Sequence, residues 1–481
     1  MRKQFTFTTL LFLALISCDD FLEVAPDLQI SIDEQMATKE GVFEAYSGIY
    51  RDIEVLLSSK AAIYADVQGG NIRFSPNGTT KQITIPSRIE NSYNFNDQFE
   101  ASDYKDYYED SYDIINQVNI LLQRFAAFDF LAAEEAKQLQ AELFIIRGFM
   151  HYQIAIQYAQ NYHFTTDASH LGIVYNTSTL TAGIDFPSRE NMRNTYRLIK
   201  EDVETGIRLL TATQLLSGPD YSYFNKINTA AIYARMALQM NDWETAKSLA
   251  TTVINTAGVV LSTSTNYVLE WERNLLPVNE VLMEFSAPLA SDGSVSSSLS
   301  EQYAYNSSIN YGNYVASSDL LAMYSSNDMR TNMFIEANLT TSINGLETQK
   351  PFYFTKKFQG DAGTLLIRLS ELYLIRAEAN ARTGFINDAL NDLNTIRNRA
   401  NLEAVSSLGS NFEEIFKERR RELAFEGHLL FDIIRFKKNV SRRNDCIAFL
   451  CDLEYPSNYF ILPIPSSSTN LNQNMTQNAG Y

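Results

Sequence analysis

The feature that most restricts the fold is a small-residue pattern that occurs twice. In one stretch Ala234 is followed by Ala246, Ala250 and Val253; in another, Ala377 is followed at identical spacings by Ala389, Leu393 and Ile396. Asn241-Asp242 interrupts the first and Gly384 the second, where the chain must reverse. Two helices joined by a tight turn, with small side chains where they cross, satisfy both patterns. Such a unit cannot bury its apolar face alone and must stack on neighbours. The chain is therefore predicted to be mostly α, with three or four irregular helix pairs.

Helical periodicity elsewhere agrees. Tyr104 to Phe125 places Tyr108, Tyr112, Ile115, Val118 and Leu122 on one face, and Ala133 to Tyr162 does the same with Leu139, Leu143, Ile146, Met150, Ile154 and Tyr158. Arg189 to Leu210 and Ile227 to Val253 continue the theme. The repeated unit resembles the tetratricopeptide helix-turn-helix pair; unrelated hairpins with Ala at their contacts would share the spacing. The scaffold is placed around 38–260 and 365–435.

The start of the chain reads as an address. Arg2 and Lys3 precede a short apolar run, Phe5 to Ser17, too short to span a bilayer. It ends in Leu15-Ile16-Ser17-Cys18, which looks like a bacterial lipobox with Cys18 as the lipidation site. An ordinary signal peptide containing a cysteine is the other reading. Residues 1–17 are then a signal peptide and 18–481 a single mature domain. Two or three acyl chains on Cys18 would tether it stably to a membrane. The net charge of −18, with no basic stripe, argues against nucleic acid. Cys446 and Cys451, in a loop-like segment of an exported chain, can form a disulfide; two free thiols are the alternative.

Two long irregular stretches, 64–97 and 262–320, interrupt the helices, and loops of that length are usually functional. A short strand pair is expected in either, for example around Ile83-Thr84-Ile85. Sugars offer flat C–H faces and rings of hydroxyls, which proteins meet with aromatic rings and with Asn, Asp, Arg or Gln. By residue type and loop placement the candidate ligand-binding residues are Asn71, Arg73, Phe74, Tyr93 and Asn94 in the first stretch, with Trp271, Tyr303, Tyr305 and Tyr311 in the second. Asn306, Asn310 and Asn313 are interleaved with those tyrosines, and Ser296-Ser297-Ser298 precedes them. Of the two tryptophans, Trp271 is the expected platform and Trp243, at the turn of a helix pair, a core residue.

Several segments together resemble the SusD/RagB family over nearly the whole mature chain. They begin with Cys18-Asp19-Asp20-Phe21-Leu22-Glu23, then Ala141-Glu142 with Arg147-Gly148-Phe149 and Tyr152. Tyr314 to Arg330 follows, with Ser317, Leu320, Tyr324, Asp328 and Arg330. The strongest match runs from Ile367-Arg368-Leu369-Ser370-Glu371 through Arg376-Ala377-Glu378, Ala389-Leu390 and Ile396-Arg397. Glu418 to His428, Phe431-Asp432, Leu462-Pro463-Ile464-Pro465 and Gln477-Asn478-Ala479-Gly480-Tyr481 complete it, with Ala479 where the family often has Pro. The resemblance implies a SusD-like α/α fold with tetratricopeptide-like pairs on one side and long loops and minor β-hairpins on the other. It also implies an outer-membrane, outward-facing lipoprotein that captures oligosaccharide, or peptide in the RagB branch. The implied partner is a SusC-like TonB-dependent transporter. Ligand-contacting residues vary between members, so none transfers by position.

Nothing points to catalysis, a cofactor or a metal. His151, His163, His170 and His428 lack metal-ligand spacing, and there is no nucleophile elbow or phosphate loop. Glu371, Arg376 and Glu378, like Glu418, Arg421 and Glu422, sit at helical spacing suited to structural ion pairs. His428, just after Gly427, is expected to be a packing residue. Two rival readings remain. An envelope scaffold predicts a concave helix-lined binding face, and a hydrolase predicts a deep acidic cleft; the SusD-like reading predicts a loop-lined site.

Overall fold

The computed structural model describes residues 31–181, 183–272, 279–286, 298–360 and 363–481. The signal segment 1–17, Cys18, the Cys18–Glu23 motif, Ser296 and Ser297 lie outside the described residues. Eleven helices carry the argument: α1 (Lys39–Ser58), α2 (Ala61–Gly69), α3 (Lys105–Arg124), α4 (Ala133–Tyr158), α5 (Met192–Leu209), α6 (Lys226–Gln239), α7 (Trp243–Thr256), α8 (Leu369–Arg382), α9 (Ile386–Arg399), α10 (Glu413–Glu422) and α11 (Leu429–Arg435). Apart from α2 and α11, they stack in chain order: α1 on α3, α3 on α4, and so on through α6/α7 and α8/α9 to α10 on α8.

The repeated small residues sit at these crossings. Ala234, Ala246, Ala250 and Val253 are fully buried, as are Ala377, Ala389, Leu393 and Ile396, and the pair α6/α7 stacks on α8. The turns fall where expected. Asn241 (φ +56°) and Gly384 (φ +87°) take left-handed backbone, and the Asp242 side chain accepts the Thr245 N–H to start α7. Between α4 and α5 the approach is closer still. A Cβ on Gly206 would lie 2.4 Å from Ile145 Cγ1 and 2.6 Å from the Ala141 carbonyl oxygen.

The strands form two-stranded antiparallel ladders among the described residues. They are β1 (Ile72–Phe74), β2 (Val281–Phe285), β3 (Tyr305–Ser307), β4 (Asn310–Tyr311), β5 (Tyr314–Ala316), β6 (Phe334–Ile343), β7 (Leu346–Thr355), β8 (Thr364–Arg368), β9 (Val440–Ser441) and β10 (Asp452–Leu453), the last two pairing with each other. β1 pairs with β5, β2 with β8, β3 with β4 and β6 with β7. The strand pair expected within either long loop forms as β3 with β4 in the second, while Ile83 in the first makes only an isolated bridge to Pro76. The large helical core is joined by two smaller clusters on the loop side. One holds Tyr267, Trp271, Val281, Met329, Met333 and Ala400; the other holds Val315, Ala337, Leu339, Phe352 and Phe354.

Helical side and loop side are riveted by buried charge. Arg368, at the start of α8, bonds Glu422 (2.7 Å), Glu426 (2.8 Å) and Glu280 (2.5 Å). Arg330 holds Asp328 (2.8 Å), Glu418 (2.7 Å) and Glu422 (2.9 Å). The α8 charges reach neighbouring elements: Glu371 pairs with Arg235 at 2.6 Å, Arg376 with Asp392 at 2.7 Å and Glu378 with Arg435 at 2.8 Å. Burial alone would push Glu371 up, but the Arg235 guanidinium brings its carboxyl down to about 2. These motifs are structural ion pairs between elements, and the D-x-R stretch of Asp328 and Arg330 is one of the clamps.

Candidate loop-side binding surface

The two long loops meet through β1 and β5, with Ile72 opposite Ala316, Arg73 opposite Val315 and Phe74 opposite Tyr314. That pairing decides which predicted residues can reach a ligand, because one face of so short a ladder is pressed on the core. Five of the nine are buried, and loop position is a poor guide for them. Phe74 packs edge-on against Tyr93 (4.9 Å) and Tyr314 (5.9 Å). Tyr303 is sealed between Phe358 (5.7 Å) and Phe425 (5.3 Å). Asn71 donates to Asp66 Oδ1 (2.6 Å) and accepts from Arg420 Nε (2.8 Å), so its amide is committed to the fold.

Trp271 is the largest correction. Its ring is 7% exposed, in the cluster with Tyr267 and Met333. The Lys357 ammonium (5.4 Å) and Arg368 guanidinium (5.6 Å) lie over it. The short helix Tyr267–Trp271 turns this ring inward over the charge clamp, and an enclosed ring offers no face to a sugar. Trp243, expected in the core, is half-buried against the large cluster, with the Arg382 guanidinium 5.5 Å over its ring.

Arg73, Asn94, Tyr305 and Tyr311 are half-buried at the surface. Tyr305 and Tyr311 stand against Phe354 (5.0 and 5.8 Å), and the Tyr311 hydroxyl donates to the Pro76 carbonyl (3.0 Å). Asn306, Asn310 and Asn313 are exposed beside them. Arg73 lies over the Phe352 ring (4.6 Å) and donates to Pro351 O (2.8 Å) and Asp445 (3.2 Å).

Asp445 brings in a third segment. Cys446 and Cys451 are joined by a disulfide, with Cα atoms 5.9 Å apart. The small ring they close is held from several sides. Asp445 also accepts the Ser318 N–H, and Asp319 accepts from Asn444 Nδ2 (2.6 Å). The Arg442 guanidinium covers Tyr93 (4.1 Å) and Phe95 (4.5 Å) and donates to Leu450 O (2.6 Å). Burial lowers the Arg442 pKa to about 10. Finally, the Phe449 N–H donates to Asn94 Oδ1 (2.9 Å). At its tip Phe449 is 100% exposed, flanked by the partly exposed Ile447 and Leu450.

Phe449 is absent from the sequence-derived candidates. A signal for it existed: the four residues between paired cysteines, Ile447-Ala448-Phe449-Leu450, are all apolar although so small a ring cannot bury them. The surface therefore offers one free ring on a stiff base, two half-buried tyrosines and neighbouring amides. That chemistry suits binding of a flat, hydroxylated or aromatic ligand. Among the described residues no cluster of three or more His, Cys, Asp or Glu could hold a metal ion. No described helix is long and apolar enough to cross a membrane.

A stack of helix pairs carrying a loop-built face defines a class, and comparison with known proteins gives it a name. Two family models match in succession: "Starch-binding associating with outer membrane" over residues 20–238 and "SusD family" over residues 301–481. The chain belongs to the SusD/RagB family. It is 36% identical over 129 residues to the starch-binding protein SusD of Bacteroides thetaiotaomicron, a stretch covering 25% of this chain and 22% of that protein. The fold matches far more broadly. A SusD superfamily crystal structure from Bacteroides thetaiotaomicron superposes with a TM-score of 0.77 at 22% identity, covering 91% of this chain and 98% of the other. One from Bacteroides vulgatus gives 0.77 at 21% identity, covering 92% and 98%.

Proposed function

We propose that this chain is a non-enzymatic capture protein of the outer membrane that binds oligosaccharide on its loop side and delivers it to a SusC-like TonB-dependent transporter. Cys18 carries the lipid anchor, and the binding face points outward. The observation that carries the reading is Phe449: a wholly exposed ring on a disulfide-closed loop, tied to both predicted loop regions through Asn94, Arg73 and Ser318. A ring held this way loses little freedom when a sugar C–H face stacks on it, which favours affinity. The description of the family model matched by residues 20–238, starch-binding associating with outer membrane, supports the glycan and the location.

The test uses the chain from residue 18 onward with Cys18→Ser, titrated with plant, microbial and host glycans beside a mixed oligopeptide pool. Saturable binding to one glycan class, lost in Phe449→Ala, is the expected result. Binding to peptides alone would move the protein to RagB-like capture. Silence in both panels, with no co-purification of a transporter, would favour the scaffold reading.

A further inference from the structure

A chamber of about 100 Å³ lies where helical and loop sides meet, away from the disulfide loop. α2, α3, α4, α6, β8 and the segment entering α11 all contribute to its lining. Leu57, Phe358, Phe425 and Phe431 supply apolar walls, and half-buried Ala62, Ile156 and Gln239 mark its rim. Its polar lining is what sets it apart. Tyr152 and Gln157 are 2% and 4% exposed, and Gln153 is 9% exposed. Gln157 Oε1 has no hydrogen-bond partner, while its amide stands beside the Tyr107 hydroxyl. Among the described residues, no hydrogen bond engages the Tyr152 hydroxyl or the side-chain amides of Gln153 and Gln239.

Buried polar groups are nearly always partnered, so the unpartnered Gln157 Oε1, with the Tyr152 hydroxyl and the Gln153 amide lining the same space, needs a reason. Folding does not supply it here: Leu or Met at the same helical positions would close the space without an unpaired amide. Charge narrows the choice of ligand. The ionic groups lining the chamber are already matched, Arg235 by Glu371 (2.6 Å) and Glu426 by Lys357 (2.5 Å) and Arg368 (2.8 Å). His428 is held neutral, since burial lowers its pKa to about 4. An ion would enter with no free counter-charge. A neutral ligand with several hydroxyls can both donate to Gln Oε1 and accept from Gln Nε2 and Tyr O–H. Its C–H face can lie on Phe358 or Phe425.

We propose that this chamber is an internal binding site for a small neutral polyol, separate from the loop-side surface and independent of what that surface captures.

The experiment is isothermal titration calorimetry of the Cys18→Ser chain with glycerol, erythritol and D-xylose, beside Gln153→Leu and Gln239→Leu. Gln239 is half-buried at the rim, so its variant guards against loss of fold at Gln153; circular dichroism checks both. Saturable binding of at least one polyol is expected, weakened about tenfold or more in each variant, as loss of a buried hydrogen bond implies. Phe449→Ala should leave it unchanged, so failure here is distinct from failure of glycan capture. No saturable binding of any of the three overturns the proposal, as does binding that survives in both variants. Crystals soaked in the polyols that show only ordered water bridging Tyr152, Gln153 and Gln157 overturn it too.

Discussion

The backbone N–H of Phe449 donates to Asn94 Oδ1 at 2.9 Å, joining residues from opposite ends of the chain at the exposed face. Asn94 thus acts as an anchor for the neighbouring ring, with its own Nδ2 donating to Glu90 O (2.7 Å). Asn94→Ala is expected to weaken ligand binding several-fold with little change in melting temperature. Phe449→Ala should weaken it more, by about tenfold or greater, since aromatic contacts dominate such sites. Equal affinity in both variants and wild type would remove the disulfide loop from the site.

The disulfide should matter to both stability and binding. Cys446→Ser with Cys451→Ser is expected to cost about 2 kcal/mol in urea unfolding, the chain-entropy value for so short a loop. Binding should fall as the ring at Phe449 gains freedom. A double variant with unchanged affinity would show that the Arg73–Asp445 ion pair and the hydrogen bonds to Asp319 hold the loop unaided.

Arg368 is the centre of the charge clamp, with the fully buried Glu280 and Glu422 and the nearly buried Glu426 around it. Arg368→Met leaves those carboxylates short of a cation, a change that typically costs about 3–5 kcal/mol. Denaturant midpoints would report it. A loss below about 1 kcal/mol would mean that Lys357 and Arg399 rebalance the cluster.

Helix contact between α4 and α5 depends on Gly206. A methyl there meets Ile145 Cγ1 at 2.4 Å and the Ala141 carbonyl oxygen at 2.6 Å. Gly206→Ala should lower stability by about 1–3 kcal/mol through overpacking, although Ala is the better helix former. A neutral or stabilising result would show that the two helices can separate without penalty.

His151 makes stability depend on pH. Its Nδ1–H donates to the Arg147 carbonyl (2.8 Å), and its Nε2 accepts the Asn176 N–H (3.0 Å), so the folded protein holds it neutral. Burial lowers its pKa from 6.5 to about 3. The unfolded chain therefore binds the proton first. The His151 contribution is fully present above pH 6.5 and declines as pH falls toward 3, by about 1.4 kcal/mol per unit. The stability advantage of wild type over His151→Gln should shrink correspondingly across that window. A difference independent of pH would mean that the imidazole protonates in place.

The chain's own periodicity determined the helical scaffold. The matched alanines, the Asn241 and Gly384 turns and the apolar faces of α3 and α4 depend on spacing within one or two elements, which local sequence contains. Buried ion pairs at Glu371, Glu378 and Glu418 were legible as pairing groups, but their partners Arg235, Arg435 and Arg330 come from other elements. Exposure in the loops was decided by tertiary structure alone. Phe74, Tyr93, Tyr303 and Trp271 lie in polar, irregular segments, yet β1–β5 pairing and the Trp271 helix turn their rings into cores. Phe449 lies between two cysteines and stays outside, because a ring that small encloses no interior. Whether an aromatic side chain faces solvent depends on which distant segment crosses over it, and that is a property of the packed chain.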